Sequence, residues 1–151
     1  MKTLSVPCIK THQNSKNAIL SFVVNGKDIP KFASVSRIAR EEGGDLMGYQ
    51  RPEVISHIKD IQNYLDKDNS LLPNSIVIAF KKSLIFRKHT SYGEDIHSGT
   101  LEIPIGQKSK PGWIVDGQQR VAALRQVNKT SYPVSVVAID SASTKEEREQ
   151  F

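Results

Sequence analysis

Asp116-Gly117-Gln118-Gln119-Arg120 places a carboxylate, a glycine, two amides and a guanidinium within five positions. A short apolar run, Trp113 to Val115, precedes them, and Val121, Ala122, Leu124 and Val127 follow at helical spacing. This pattern predicts a strand at 113–115, a tight turn, and a helix over 117–127. Gly117 permits a sharp turn or a close backbone approach. The first N–H groups of a helix have no internal partners and carry the positive end of the dipole, so a phosphate is well accommodated there. Arg120, one turn in, can clamp that phosphate with two parallel donors. Gln118 and Gln119 add neutral donors and acceptors, and Asp116 can hold a divalent metal or orient a water. Asp116 and Arg120 are therefore the candidate catalytic residues, and Gly117, Gln118 and Gln119 the candidate phosphate- or nucleic-acid-binding residues. The competing account is structural: Asp116 and Gln119 at i and i+3 form a capping box, with Gly117 a turn residue and Arg120 a solvated side chain. The five residues alone leave both open.

A second cluster, Tyr49-Gln50-Arg51, stands just before another helix start at Pro52. Tyr49 can stack on a base and Arg51 can meet a phosphate. The alternative is a partly buried tyrosine and an arginine paired with a surface carboxylate. The four histidines, His12, His57, His89 and His97, lack metal-ligand spacing, so no histidine-based metal site is expected. Cys8 is the one cysteine, which excludes an internal disulfide and a cysteine-based zinc site and suits a small apolar filler. There is neither a P-loop lysine nor a GxGxxG run.

The elements that must position these residues are legible in outline. Residues 4–10 read as a short extended piece broken by Pro7, and 17–24 as a strand ending in the turn signal Asn25-Gly26. Residues 34–41 read as a short helix stopped by Gly43-Gly44. Val54, Ile58, Ile61 and Leu65 recur at helical spacing with Ile55 and Tyr64 beside them, predicting an amphipathic helix over 52–66 whose polar face carries Glu53, Lys59, Asp60 and Gln62. Residues 75–80 read as a buried strand that 83–87 continue or pair with, and 88–99 as a loop. An edge strand is expected at 101–105 and a strand at 133–139. Ser143 and Glu146 form a capping box opening a further helix. The sum is an α+β fold: a small, curved mixed sheet with flanking helices.

The 151 residues suffice for one domain with a real core, with 38% apolar and 25% charged residues. A chain that ends inside a helix reads as the N-terminal part of a longer protein. No run approaches the roughly 18–20 apolar residues of a membrane span, and no signal-peptide pattern opens the chain, so the expected compartment is the cytoplasm. The net charge of +5 is compatible with a polyanionic partner. The densest basic group is Lys81, Lys82, Arg87 and Lys88, with no longer run.

VDGQQR before an Ala/Leu-rich helix, preceded by GYQRP and by LPNSIVIAF, resembles the DGQHR-domain family, the DndB-like proteins of DNA phosphorothioate (sulfur) modification systems. The likeness runs from about Gly48 to Phe151. The DGQQR loop is also similar to N-terminal domains of GmrSD-type modification-dependent restriction enzymes. Gln119 stands where the family has His, so histidine-based chemistry does not carry over. The resemblance implies a ParB/sulfiredoxin-like fold, with Asp116 to Arg120 as the loop and Tyr49, Gln50 and Arg51 as its opposing lip. It implies a DNA-binding regulator of the modification genes that works with DNA and other modification-system proteins. A second implied class is a nucleotide hydrolase or DNA nickase using the same loop, for which a nucleotide with magnesium is the expected cofactor. A bare assembly module is a third. Self-association is left open by all three.

Overall fold

In the computed structural model, residues 2–35 and 52–141 are described. Alternating apolar residues set the sheet. In β2 (Ala18–Asn25), Ala18, Leu20, Phe22 and Val24 are buried, and in β8 (Pro133–Ile139), Val134, Val136 and Ala138. The two strands pair antiparallel with Leu20 opposite Ala138 and Phe22 opposite Val136, so one continuous apolar face results. β1 (Lys2–His12) and β6 (Ile96–Ile105) extend that face with Val6 opposite Leu101 and Leu4 opposite Ile103. The remaining strands are β3 (Ala33–Val35), β4 (Ile76–Phe80), β5 (Ile85–Ser91) and β7 (Gly112–Asp116).

The strand order is β3-β7-β4-β8-β2-β1-β6-β5, with β3–β7 and β4–β8 parallel and the other pairs antiparallel. The sheet curls into a half-barrel, so the fold is α+β. Its inner face packs against a 3-10 helix (Gly26–Lys31), α1 (Pro52–Leu65) and α2 (Gln118–Gln126). Ile29, Phe32, Ile58, Leu65, Val121 and Leu124 from the helical side meet Phe22, Ile76, Ile78 and Phe80 from the strands. Phe80 packs with ring centroids 6.5 Å from Phe22 and 6.2 Å from Phe32. No helix among the described residues is long and apolar enough to cross a membrane.

Several expected elements differ. Pro7 does not break β1, which pairs with β6 through Pro7 but with β2 only from Cys8 onward, so the strand is single-sided at the proline. Residues 88–99 are hairpin arms rather than a loop: β5 and β6 pair across a turn in which the Tyr92 N–H donates to the Ile96 carbonyl at 2.8 Å. The polarity misleads because β5 is an exposed edge strand, held by backbone pairing rather than by a buried face. The turn expected at Asn25-Gly26 is present and runs into the 3-10 helix, which the Asn25 side chain caps by accepting from the Lys27 N–H. Ser34 and Val35, expected to start a helix, lie in β3, and the rest of that expected helix falls outside the described residues, as does the one expected after Ser143. Gln62, placed on the polar face of α1, is buried and donates to the Gln126 carbonyl at 2.8 Å, satisfying an acceptor at the C-terminal end of α2.

Candidate functional site

Antiparallel pairing brings Val77 of β4 opposite Asp116, the last residue of β7, with a register shift between Val77 and Ile78. The chain then turns at Gly117, at φ 97° and ψ 22°, and enters α2. A Cβ at Gly117 would stand 2.7 Å from Ile76 Cδ1 and 3.0 Å from Arg120 Nη2, so glycine is required both for the backbone angle and for the close approach. The N-cap of α2 is Gly117, with no side-chain cap bond, so the Asp116–Gln119 capping box is not what starts this helix. The Val121 N–H bonds the Gly117 carbonyl at 2.9 Å, while the three amides before it precede the first helical partner.

The side chains of the loop divide their work. Gln118 turns back and donates through Nε2 to the carbonyls of Val115 at 3.1 Å and Ile114 at 3.3 Å, tying the helix to its own strand. Arg120 reaches across to the start of β4, donating through Nη1 to the carbonyls of Asn74 at 2.9 Å and Ser75 at 3.4 Å. Its Nη2 lies 3.5 Å from Asp116 Oδ2, in a pair whose arginine is 19% exposed and whose aspartate is 70% exposed. Arg120 is thus a latch for the loop before it is anything else, and Asp116 offers its carboxylate to solvent. Gln119 is half-buried.

Asp116, Gly117, Gln118, Gln119 and Arg120 all line one cleft of about 600 Å³. Its opposite wall is α1: His57, Asp60, Ile61, Tyr64 and Leu65, with Leu72 from the following loop. These α1 positions follow helical spacing, so they form one stripe along the helix. Tyr64 is fixed by its hydroxyl, which donates to the Leu71 carbonyl at 3.1 Å and accepts the Leu71 N–H at 3.0 Å. The cleft therefore has an apolar wall, one arginine already engaged, and two carboxylates, Asp60 and Asp116. Among the described residues, no group of three or more His, Cys, Asp or Glu is placed to hold a metal ion.

The sequence expectation named one wall of this cleft and missed the other. His57, Asp60 and Tyr64 carry no motif; the available signal was a second stripe on α1, offset from the apolar one. Tyr49, Gln50 and Arg51 lie outside the described residues. Cys8 is buried in the core, and its burial pushes the thiol up to about 11, which fits the filler expected.

No curated protein and no solved structure matches the chain. The profile of the family described as DndB, DNA-sulfur modification-associated, matches residues 6–151. That match starts well ahead of Gly48 and takes in most of β1 and all of β2 and β3, for which the motifs had given no family. The chain accordingly belongs to the DndB family of DNA-sulfur modification-associated proteins.

Proposed function

We propose that this protein binds DNA as a regulator of the sulfur-modification genes, and that its DGQQR cleft receives a phosphate-bearing group. The observation that carries the cleft assignment is the placement of the α2 N-terminus: it forms one side of a cleft of about 600 Å³ whose other side, on α1, is largely apolar but carries His57 and Asp60. The helix end and the Gly117 backbone suit a phosphate, and Ile61, Tyr64, Leu65 and Leu72 suit the uncharged remainder of a nucleotide. In this reading Arg120 and Gln118 hold the loop in shape, Gln119 contributes a polar contact, and Tyr49, Gln50 and Arg51 add contacts from the other lip. Family membership supports the association with DNA sulfur modification. Binding of duplex DNA, with and without phosphorothioate linkages, measured by fluorescence anisotropy over a salt series, tests the reading. Affinity that falls with salt is expected, and absence of binding to either duplex sinks it.

The enzymatic alternative has one observation in its favour: the exposed Asp116 carboxylate shares the cleft with Asp60 and His57. One or two carboxylates together with substrate phosphates suffice for magnesium; Asp116 and Asp60 would hold it, and it would neutralise charge on the phosphates. Asp116→Asn separates the readings. Loss of nucleotide turnover with DNA affinity intact favours the enzyme, and no turnover in the unaltered protein favours the binding module.

A further inference from the structure

Four lysines from two separate stretches of sequence meet at the end of the sheet away from the DGQQR cleft. Phe80 pairs with Gly112 at one end of the β4–β7 ladder and Val77 with Asp116 at the other. The separation is four residue steps, or about 13 Å along the strand. At the Gly112 end three loops meet. The Lys81 N–H bonds the Pro111 carbonyl at 3.0 Å, and Lys81 Nζ bonds Ser109 Oγ at 3.4 Å. Lys110 Nζ donates to the Pro30 carbonyl, and the Gly112 N–H to the Phe32 carbonyl at 3.0 Å. Lys82, next to Lys81, and Lys108, next to Ser109, are exposed. Lys81, Lys82, Lys108 and Lys110 thus occupy one rim.

Among the described residues, carboxylates are scarce there. Residues 69–93 and 103–115 contain no Asp or Glu. Of the acids tied to these loops, Asp28 is paired with Lys31 at 2.8 Å, and Asp140 is buried, accepting from the Leu84 N–H at 3.3 Å. Among the described residues the rim is therefore net positive, whereas the DGQQR cleft sets two carboxylates against one arginine. The cations are all lysines, point charges on flexible stems, which contact a phosphate backbone without reading bases. Lys81 Nζ also sits 4.3 Å from the Trp113 ring centroid, which fixes its stem.

We propose that Lys81, Lys82, Lys108 and Lys110 form the surface that contacts the phosphate backbone of duplex DNA, separate from the DGQQR cleft. This rests on the DNA-binding reading above. Duplex binding carried by this rim leaves the cleft free for a second, smaller phosphate ligand.

The test is the salt dependence of affinity for a duplex of arbitrary sequence, for the unaltered 151-residue chain and for the double variant Lys82→Gln/Lys108→Gln, whose positions are exposed. Each lost phosphate contact lowers the slope of log K against log salt by about 0.9. The double variant should therefore lose about tenfold less affinity than the unaltered chain between 50 and 200 mM salt. An unchanged denaturation midpoint confirms that the variant is folded. If the unaltered chain binds duplex with a steep slope that the variant retains, the rim assignment is wrong and the DNA reading stands. If the unaltered chain does not bind duplex at all, both fail. Binding of poly-glutamate without binding of duplex overturns the rim proposal in favour of an acidic protein partner.

Discussion

Gly117→Ala puts a methyl group where the structure has no room. At φ 97° an alanine costs about 1–2 kcal/mol in backbone strain. The new Cβ would lie 2.7 Å from Ile76 Cδ1 and 3.0 Å from Arg120 Nη2. Ile76 is fully buried, so its methyl cannot move away without disturbing the core. Arg120 can move, but only by weakening its bonds to the carbonyls of Asn74 and Ser75, and a hydrogen bond from a charged group is worth about 1.5–3 kcal/mol. The expected destabilisation is about 2–4 kcal/mol, or roughly 5–15 °C in Tm for a chain of this size. Gly93 supplies the control: it has φ 84° and nothing within 4 Å of an added Cβ, so Gly93→Ala carries the backbone term alone. Urea denaturation of both variants separates the two contributions. Equal destabilisation by Gly117→Ala and Gly93→Ala would refute the close packing of Arg120 and Ile76 on the loop, and with it the role of Arg120 as latch.

Gln62→Ala should cost about 1–3 kcal/mol, because it strands the buried end of α2 without a donor for the Gln126 carbonyl; urea denaturation measures it, and a change within 0.5 kcal/mol, roughly what a surface substitution gives, contradicts the capping role. Gly99→Ala would set a Cβ 2.2 Å from the Arg87 carbonyl oxygen, so β5 should detach from β6, seen as faster amide exchange over residues 85–91; unchanged exchange there argues against the pairing. Glu102 is held below its ordinary value of 4.5, first by the Ser5 hydroxyl at 2.6 Å and then by Thr3 and Arg87. A lowered folded value means that the stability Glu102 contributes is present above 4.5 and is lost as pH falls through its folded value. Glu102→Gln should flatten the acid side of the Tm–pH curve relative to the unaltered chain, and parallel curves would contradict the assignment.

Much of this molecule was decided locally. Strand β8, helix α1 and the turn from β7 into α2 follow from period-two and helical apolar spacing and from a glycine at the turn, all of which act over a few residues. DGQQR and GYQRP likewise sufficed for the family, since a motif needs no partner to be recognised. What the sequence could not supply were contacts made across long separations. β5 has no buried face, and only its backbone pairing with β6 makes it a strand. Gln62 looked solvent-facing until α2 packed its last carbonyls against it. Asp116 and Gln119 fit a capping box by spacing, yet the positive φ at Gly117 moved the cap one residue on. The far wall of the cleft, His57 to Tyr64, and the lysine rim exist only because the half-barrel brings distant loops together. Side-chain periodicity encodes which face is buried, whereas the identity of the neighbour across that face is a property of the closed chain.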